Sequence, residues 1–249
     1  MNALRVTLAV AGRELRAYFL QPLAWIVLTT MLLVEGLNFW YVIALSNGAG
    51  ASFVEVARLL FSSLLFWLPL LVAIPVAAMR LIAEERQSGT LEALLTAPVT
   101  EGQVAVGKFL GAYAFFLVLL APLLVDLVLL DTYGEVDWRA AAAGFLSLAL
   151  TGAYLLAAAM CASALSRSAI VAAITGFILV MALFVTPYLG ARLTEGTDWF
   201  RFWDQLDLLT ALDEMARGIV KSNRIVYPVT GTAALLFACA RLIELVKGR

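Results

Sequence analysis

The chain has 249 residues, of which 63% are hydrophobic and only 14% charged, against about half apolar and a quarter charged in soluble domains, so it reads as a membrane protein. Its 17 basic and 18 acidic residues give a net charge of -1. That leaves no basic field to neutralise phosphates and excludes nucleic acid as a partner. The absence of histidine removes Ser-His and Cys-His nucleophile pairs and His-ligated zinc or haem.

Residues 2-19 place Leu4, Leu8, Ala11, Leu15 and Tyr18 on one helical face and group Arg5, Arg13 and Arg16 on another. This predicts a helix lying in the membrane surface, although the same arginines also serve as a plain topology signal. Long apolar runs then predict six spans near 23-45, 58-79, 107-130, 140-165, 168-190 and 225-246, each about the 20 residues needed to cross a bilayer. The gaps are too short for a soluble domain of roughly 50 residues, so residues 1-249 form one bundle, an all-α membrane protein. An even number of spans puts both termini on one side. That side holds ten of the basic residues against seven on the other, which predicts cytoplasmic termini in the inner (plasma) membrane. Cys161 and Cys239 lie in apolar runs and read as packing residues.

Between spans 2 and 3, Ser88 and Gly89 break the helix that leaves span 2. A short helix is expected from Thr90, with Leu91, Leu94 and Leu95 as its ridge and Pro98 as its stop. Thr100 then caps the next helix, with Glu101 and Gln103 in its first turn. An exposed leucine ridge beside Glu84, Glu85 and Arg86 suits a groove on another protein. Between spans 5 and 6, Trp199, Phe202, Leu206, Leu209, Leu212, Ala216 and Ile219 recur at helical steps, predicting one or two interfacial helices outside the membrane, broken at Gly218.

The words EERQSGTLEALLTAPVT at 84-100 and GQVAVGKFLGAYAF at 102-115 resemble the coupling region of ABC-2 type permeases, the membrane subunits of ATP-binding-cassette exporters. ALDEMARGIVKSNRIVYPV at 211-229 is similar to their gliding-motility-type branch. The resemblance implies one ABC-2 transmembrane domain, with an N-terminal amphipathic helix, a coupling helix on the cytoplasmic side and external helices between spans 5 and 6. It also implies a second permease chain, in a homodimer or heterodimer, and a separate cytoplasmic ABC ATPase that carries ATP and magnesium, this chain binding no cofactor. Residues 84-98 would be the coupling helix, with Glu85, Arg86, Gly89, Thr90, Leu91, Glu92, Leu94, Leu95 and Pro98 matching the motif and Glu84 beside them.

Gly102, Gly107 and Lys108 satisfy the start of a phosphate-binding loop, but Phe109 stands where a hydroxyl must reach magnesium. Gly107 and Gly111 read better as a small-xxx-small packing site. Glu35 lies mid-span, where an ionised carboxylate costs about 2.5 to 3.5 kcal/mol on insertion scales. It lines a substrate path or a dimer interface, or is a protonated carboxyl bonded between helices. Asp126, near the outer end of span 3, is expected to reach the interface with Asp131. Pro69, Pro75, Pro122 and Pro187 can kink their helices. The alternatives to an ATPase-driven exporter are an intramembrane enzyme, which lacks a histidine, and an ion-coupled carrier, for which midplane polar residues beyond Glu35 are few.

Overall fold

The computed structural model describes residues 3-49, 52-88 and 100-247. Among these residues all regular structure is helical. The elements in chain order are α1 (Ala3–Phe19), α2 (Pro22–Ala49), α3 (Phe53–Ser62), α4 (Leu64–Ala78), a π-helical turn (Arg80–Glu84) and α5 (Glu85–Ser88). There follow α6 (Glu101–Leu119), α7 (Ala121–Tyr133), α8 (Trp138–Leu165), α9 (Ala169–Leu193), α10 (Phe200–Leu206), α11 (Leu208–Ala216) and α12 (Ser222–Lys247).

Six helical stretches among the described residues are long and apolar enough to cross a membrane: Pro22–Ser46, Phe53–Gln87, Glu101–Tyr133, Trp138–Leu165, Ala169–Leu193 and Ser222–Glu244. They lie where the apolar runs place them, but two are interrupted. Span 2 breaks at Ser63, whose side chain accepts from Leu65 N and caps α4. Span 3 breaks at Leu120, and Pro122 sits in the first turn of the new helix, where its missing N–H costs nothing. Pro69, Pro75 and Pro187 lie inside α4 and α9.

The core helix is α8. Small residues crowd its second half, where Ala157, Ala158, Ala159, Cys161 and Ala162 are all buried, and such short side chains let α9 and α12 approach closely. Tyr154 on α8 meets Tyr227 on α12 through their hydroxyls, 3.1 Å apart. Cys161 donates to Leu235 O on α12 at 3.1 Å.

The segment between spans 5 and 6 forms two helices ending at Gly218, within the expected one or two. Asp207 divides it into two helices by capping α11, its carboxylate accepting from Leu209 N at 3.0 Å. Gly218 ends the unit at φ +80°, a conformation that favours glycine. The buried stripe is Leu208, Ala211, Leu212, Met215 and Ala216, which keeps Leu212 and Ala216 of the predicted one but not Leu206 or Leu209. α11 is seated on α8 and α3 rather than lying loose, whereas Trp199, Phe202 and Ile219 remain exposed.

Candidate functional site

Thr100 starts α6 with a reciprocal capping box: its Oγ1 accepts from Gln103 N, and its own N–H donates to Gln103 Oε1. This cap fixes the helical phase of Gly107, Lys108 and Gly111, which together face α1. A Cβ on Gly107 would stand 2.8 Å from Val10 Cβ and 2.9 Å from Thr7 O, and one on Gly111 would stand 2.6 Å from Glu14 Cβ. The two glycines are thus the seat of α1. Farther along, Tyr18 stacks on Phe115 at 4.7 Å and donates to Ala77 O at 2.7 Å. Burial raises the Tyr18 phenol above its ordinary range, so it stays a donor.

Lys108 is fully buried, and its ammonium bridges Glu14 at 3.0 Å and Glu85 at 2.7 Å. Arg13 reaches the same two carboxylates, at 3.0 and 3.3 Å. Two cations and two anions from three elements therefore form a neutral cluster. Such a cluster contributes little net stability as a whole, but loss of one member is costly because it leaves buried charge uncompensated. A cleft of about 420 Å³ beside it is bounded by α1 and the end of span 2 that leads into α5, including Tyr18, Arg80, Glu84 and Glu85.

The approach to this cluster is distorted. Over Arg80–Glu84 the helix widens into a π turn, and Ser163 of α8, itself fully buried, takes up the displaced backbone groups. Its Oγ accepts from Ile82 N at 3.3 Å and Ala83 N at 3.1 Å, and donates to Met79 O at 3.1 Å. Single π turns inside helices frequently mark functional sites. Here the turn delivers Glu85 to Lys108 and leaves Glu84 held by Arg80, at 2.5 Å and 3.2 Å.

Of the residues assigned to coupling, Glu84, Glu85 and Arg86 lie within the described residues, and Arg86 is half-buried. Gly89, Thr90, Leu91, Glu92, Leu94, Leu95 and Pro98 lie outside them. The Gly102, Gly107, Lys108 string that imitates a phosphate loop is the capped start of α6, with Gly107 against α1 and Lys108 in the ion cluster.

Midway along the bundle, Glu35 and Asn38, one turn apart on α2, meet Asp126 on α7. The break at Leu120 turns Asp126 inward, with 8% exposure, so it does not accompany Asp131 to the interface. Asp131 instead accepts from Val136 N and Trp138 Nε1, each at 3.2 Å. The pairing of the two acids and the part of Asn38 are invisible in an apolar-run reading, although Glu35 and Asn38 stand at helical i, i+3 spacing.

At the opposite end, two arginines tie down the 200-216 unit. Arg58 on α3 pairs with Glu55 and, at 2.7 Å, with Asp213. Arg224 pairs with Asp204 at 3.1 Å and Glu214 at 3.0 Å. Burial disfavours the Glu214 anion, but Lys221 and Arg224 outweigh it and hold the carboxyl below its ordinary range. This pairing contributes stability above the usual carboxylate range, lost as pH falls through the lowered value.

Six helices of membrane-spanning length, an amino-terminal helix bound to the third of them and an ion-paired elbow after the second define a polytopic helical membrane protein with a linked set of elements at one end. Residues 21–186 match a family described as ABC-2 family transporter protein. The chain belongs to the ABC-2 family of transporter proteins, and is a multi-pass membrane permease of that family. A comparison with curated proteins finds no match.

Proposed function

We propose that this chain is the permease subunit of an ABC exporter, carrying the translocation path and coupling it through residues 84-98 to a separate cytoplasmic ATPase that binds ATP and magnesium. Two permease chains, identical or different, would complete the path, with both termini in the cytoplasm of an inner-membrane transporter. The observation that carries this reading is the ion cluster of Arg13, Glu14, Glu85 and Lys108, with the fully buried Lys108 at its centre. It lies where the coupling segment leaves span 2, so a push on that segment is transmitted to α1 and α6 together rather than absorbed by a loose loop. Leu4 and Leu8, exposed on α1 beside Arg5, suit the headgroup boundary of the same membrane face.

In this reading Leu91, Leu94 and Leu95 enter an apolar cleft on the ATPase, and Glu84, Glu85 and Arg86 set the angle of entry. Leu94→Asp with Leu95→Asp would bury charge in that cleft, at a cost of several kcal/mol. Co-purification of the ATPase with tagged permease is expected to fall to background in the double variant while the permease itself is recovered in full. Unchanged recovery of the ATPase would refute the assignment of 84-98 as its dock.

A further inference from the structure

The interior of the bundle contains carboxylates that the coupling account does not use. Glu35 is 3% exposed and Asn38 fully buried. Neither oxygen of Glu35, neither amide atom of Asn38, nor Asp126 Oδ2 has a hydrogen-bond partner among the described residues. Buried polar groups are ordinarily satisfied, and the exceptions call for an explanation such as an ion or ligand. Glu35 lies within side-chain reach of both Asp126 and Asn38, so the three groups have one another as neighbours behind this chain's own helices.

The buried cations among the described residues are committed elsewhere. Lys108 is bound to Glu14 and Glu85, and Arg224 to Asp204 and Glu214. Two carboxylates and an amide therefore face one another without a basic side chain, an arrangement that attracts positive charge.

A cavity of about 500 Å³ lies one helical turn further along both helices, between α2, α3 and α7. Phe39 and Ile43 continue the α2 face that carries Glu35, and Leu130 stands one turn beyond Asp126. Phe53 and Tyr133 complete aromatic walls, which suit a cation's substituents as well as its charge. The volume is in the range of small-molecule pockets, which combine apolar walls with a few fixed polar groups.

We infer that Glu35, Asn38 and Asp126 form the polar end of a binding site for a lipophilic organic cation, whose apolar body occupies the cavity between α2, α3 and α7. The carboxylates neutralise the cationic centre, and Asn38 offers its amide oxygen. This rests on the permease reading only in that a substrate site belongs in the path. Binding to the isolated chain needs no ATPase, so this site and the dock at Leu94 and Leu95 stand or fall separately.

The test is equilibrium binding of radiolabelled tetraphenylphosphonium to purified wild-type permease in phosphatidylcholine nanodiscs, with empty nanodiscs as the reference. Saturable binding is expected, competed by unlabelled tetraphenylphosphonium but not by tetraphenylborate, an anion of the same shape. Glu35→Gln with Asp126→Asn is expected to weaken it about tenfold or more, and Ile43→Trp, which fills the cavity without touching a carboxylate, to abolish it. Thermal unfolding of each variant establishes that it is folded. Binding no greater than to empty nanodiscs, equal competition by the borate, or unchanged affinity in the folded charge variant would each overturn the proposal. Should the double charge variant fail to fold, wild-type saturability and Ile43→Trp still decide.

Discussion

Lys108→Met is expected to destabilise the folded chain by about 3 to 5 kcal/mol, the usual consequence of removing one partner from a buried ion cluster. The ammonium is fully buried and lies within 3.0 Å of both Glu14 and Glu85. Its loss leaves two carboxylates opposed, and Arg13, which also reaches both, has a side chain 55% exposed. Adding Glu14→Gln and Glu85→Gln to the same chain should restore most of the stability, because a neutral set in place of a whole cluster is often as stable as the charged one. Thermal unfolding in detergent measures both variants. A Lys108→Met protein as stable as wild type would mean that Lys108 escapes to solvent and that the cluster does not hold α1 to span 2.

Gly111→Leu should detach α1 from the bundle. A Cβ at that position meets Glu14 Cβ at 2.6 Å and the backbone oxygen of Ala11 at 2.8 Å, and a backbone oxygen has no rotamer with which to give way. Overpacking of this kind costs about 1 to 3 kcal/mol, and here it is concentrated on one docked helix. Faster proteolytic removal of the amino-terminal segment, with the remaining spans intact, is the expected result. Gly102→Ala is the control, since a Cβ there meets nothing within 4 Å. Equal effects of the two substitutions would show that the contact of α1 with α6 is not specific to Gly111.

The features legible in the sequence are those set by local chemistry. Apolar runs of membrane length locate all six spans, and Thr100 with Gln103 announces the start of α6, because a capping box needs only three residues' separation. Small-residue spacing at Gly107 and Gly111 signals close packing, but not that the partner is α1. The ion cluster is not legible: Glu85 and Lys108 come from different spans, and Glu14 lies 94 residues from Lys108. The π turn is hidden for the same reason. Its displaced amides are satisfied by Ser163, 80 residues beyond Ala83, and nothing in the local string Arg80 to Glu84 forecasts it. Apolar runs misplace Asp126 because they imply one uninterrupted helix through Leu120, whereas a new helix with its own phase begins at Ala121. In the 198-220 stretch Asp207 restarts the helix, so Leu208 and Ala211 are buried in addition to the expected Leu212 and Ala216.

Docking of residues 84-98 on a separate ATPase is tested by a photoreactive amino acid placed at Leu94 in the otherwise native chain, irradiated in intact cells, with the adduct identified by mass spectrometry. One dominant adduct to a cytoplasmic ATPase bearing a complete phosphate-binding loop is expected, and its disappearance when the photoreactive residue is moved to Thr197, in the segment between spans 5 and 6. Adducts to lipid alone from position 94, or an ATPase adduct from position 197 instead, would rule the dock out.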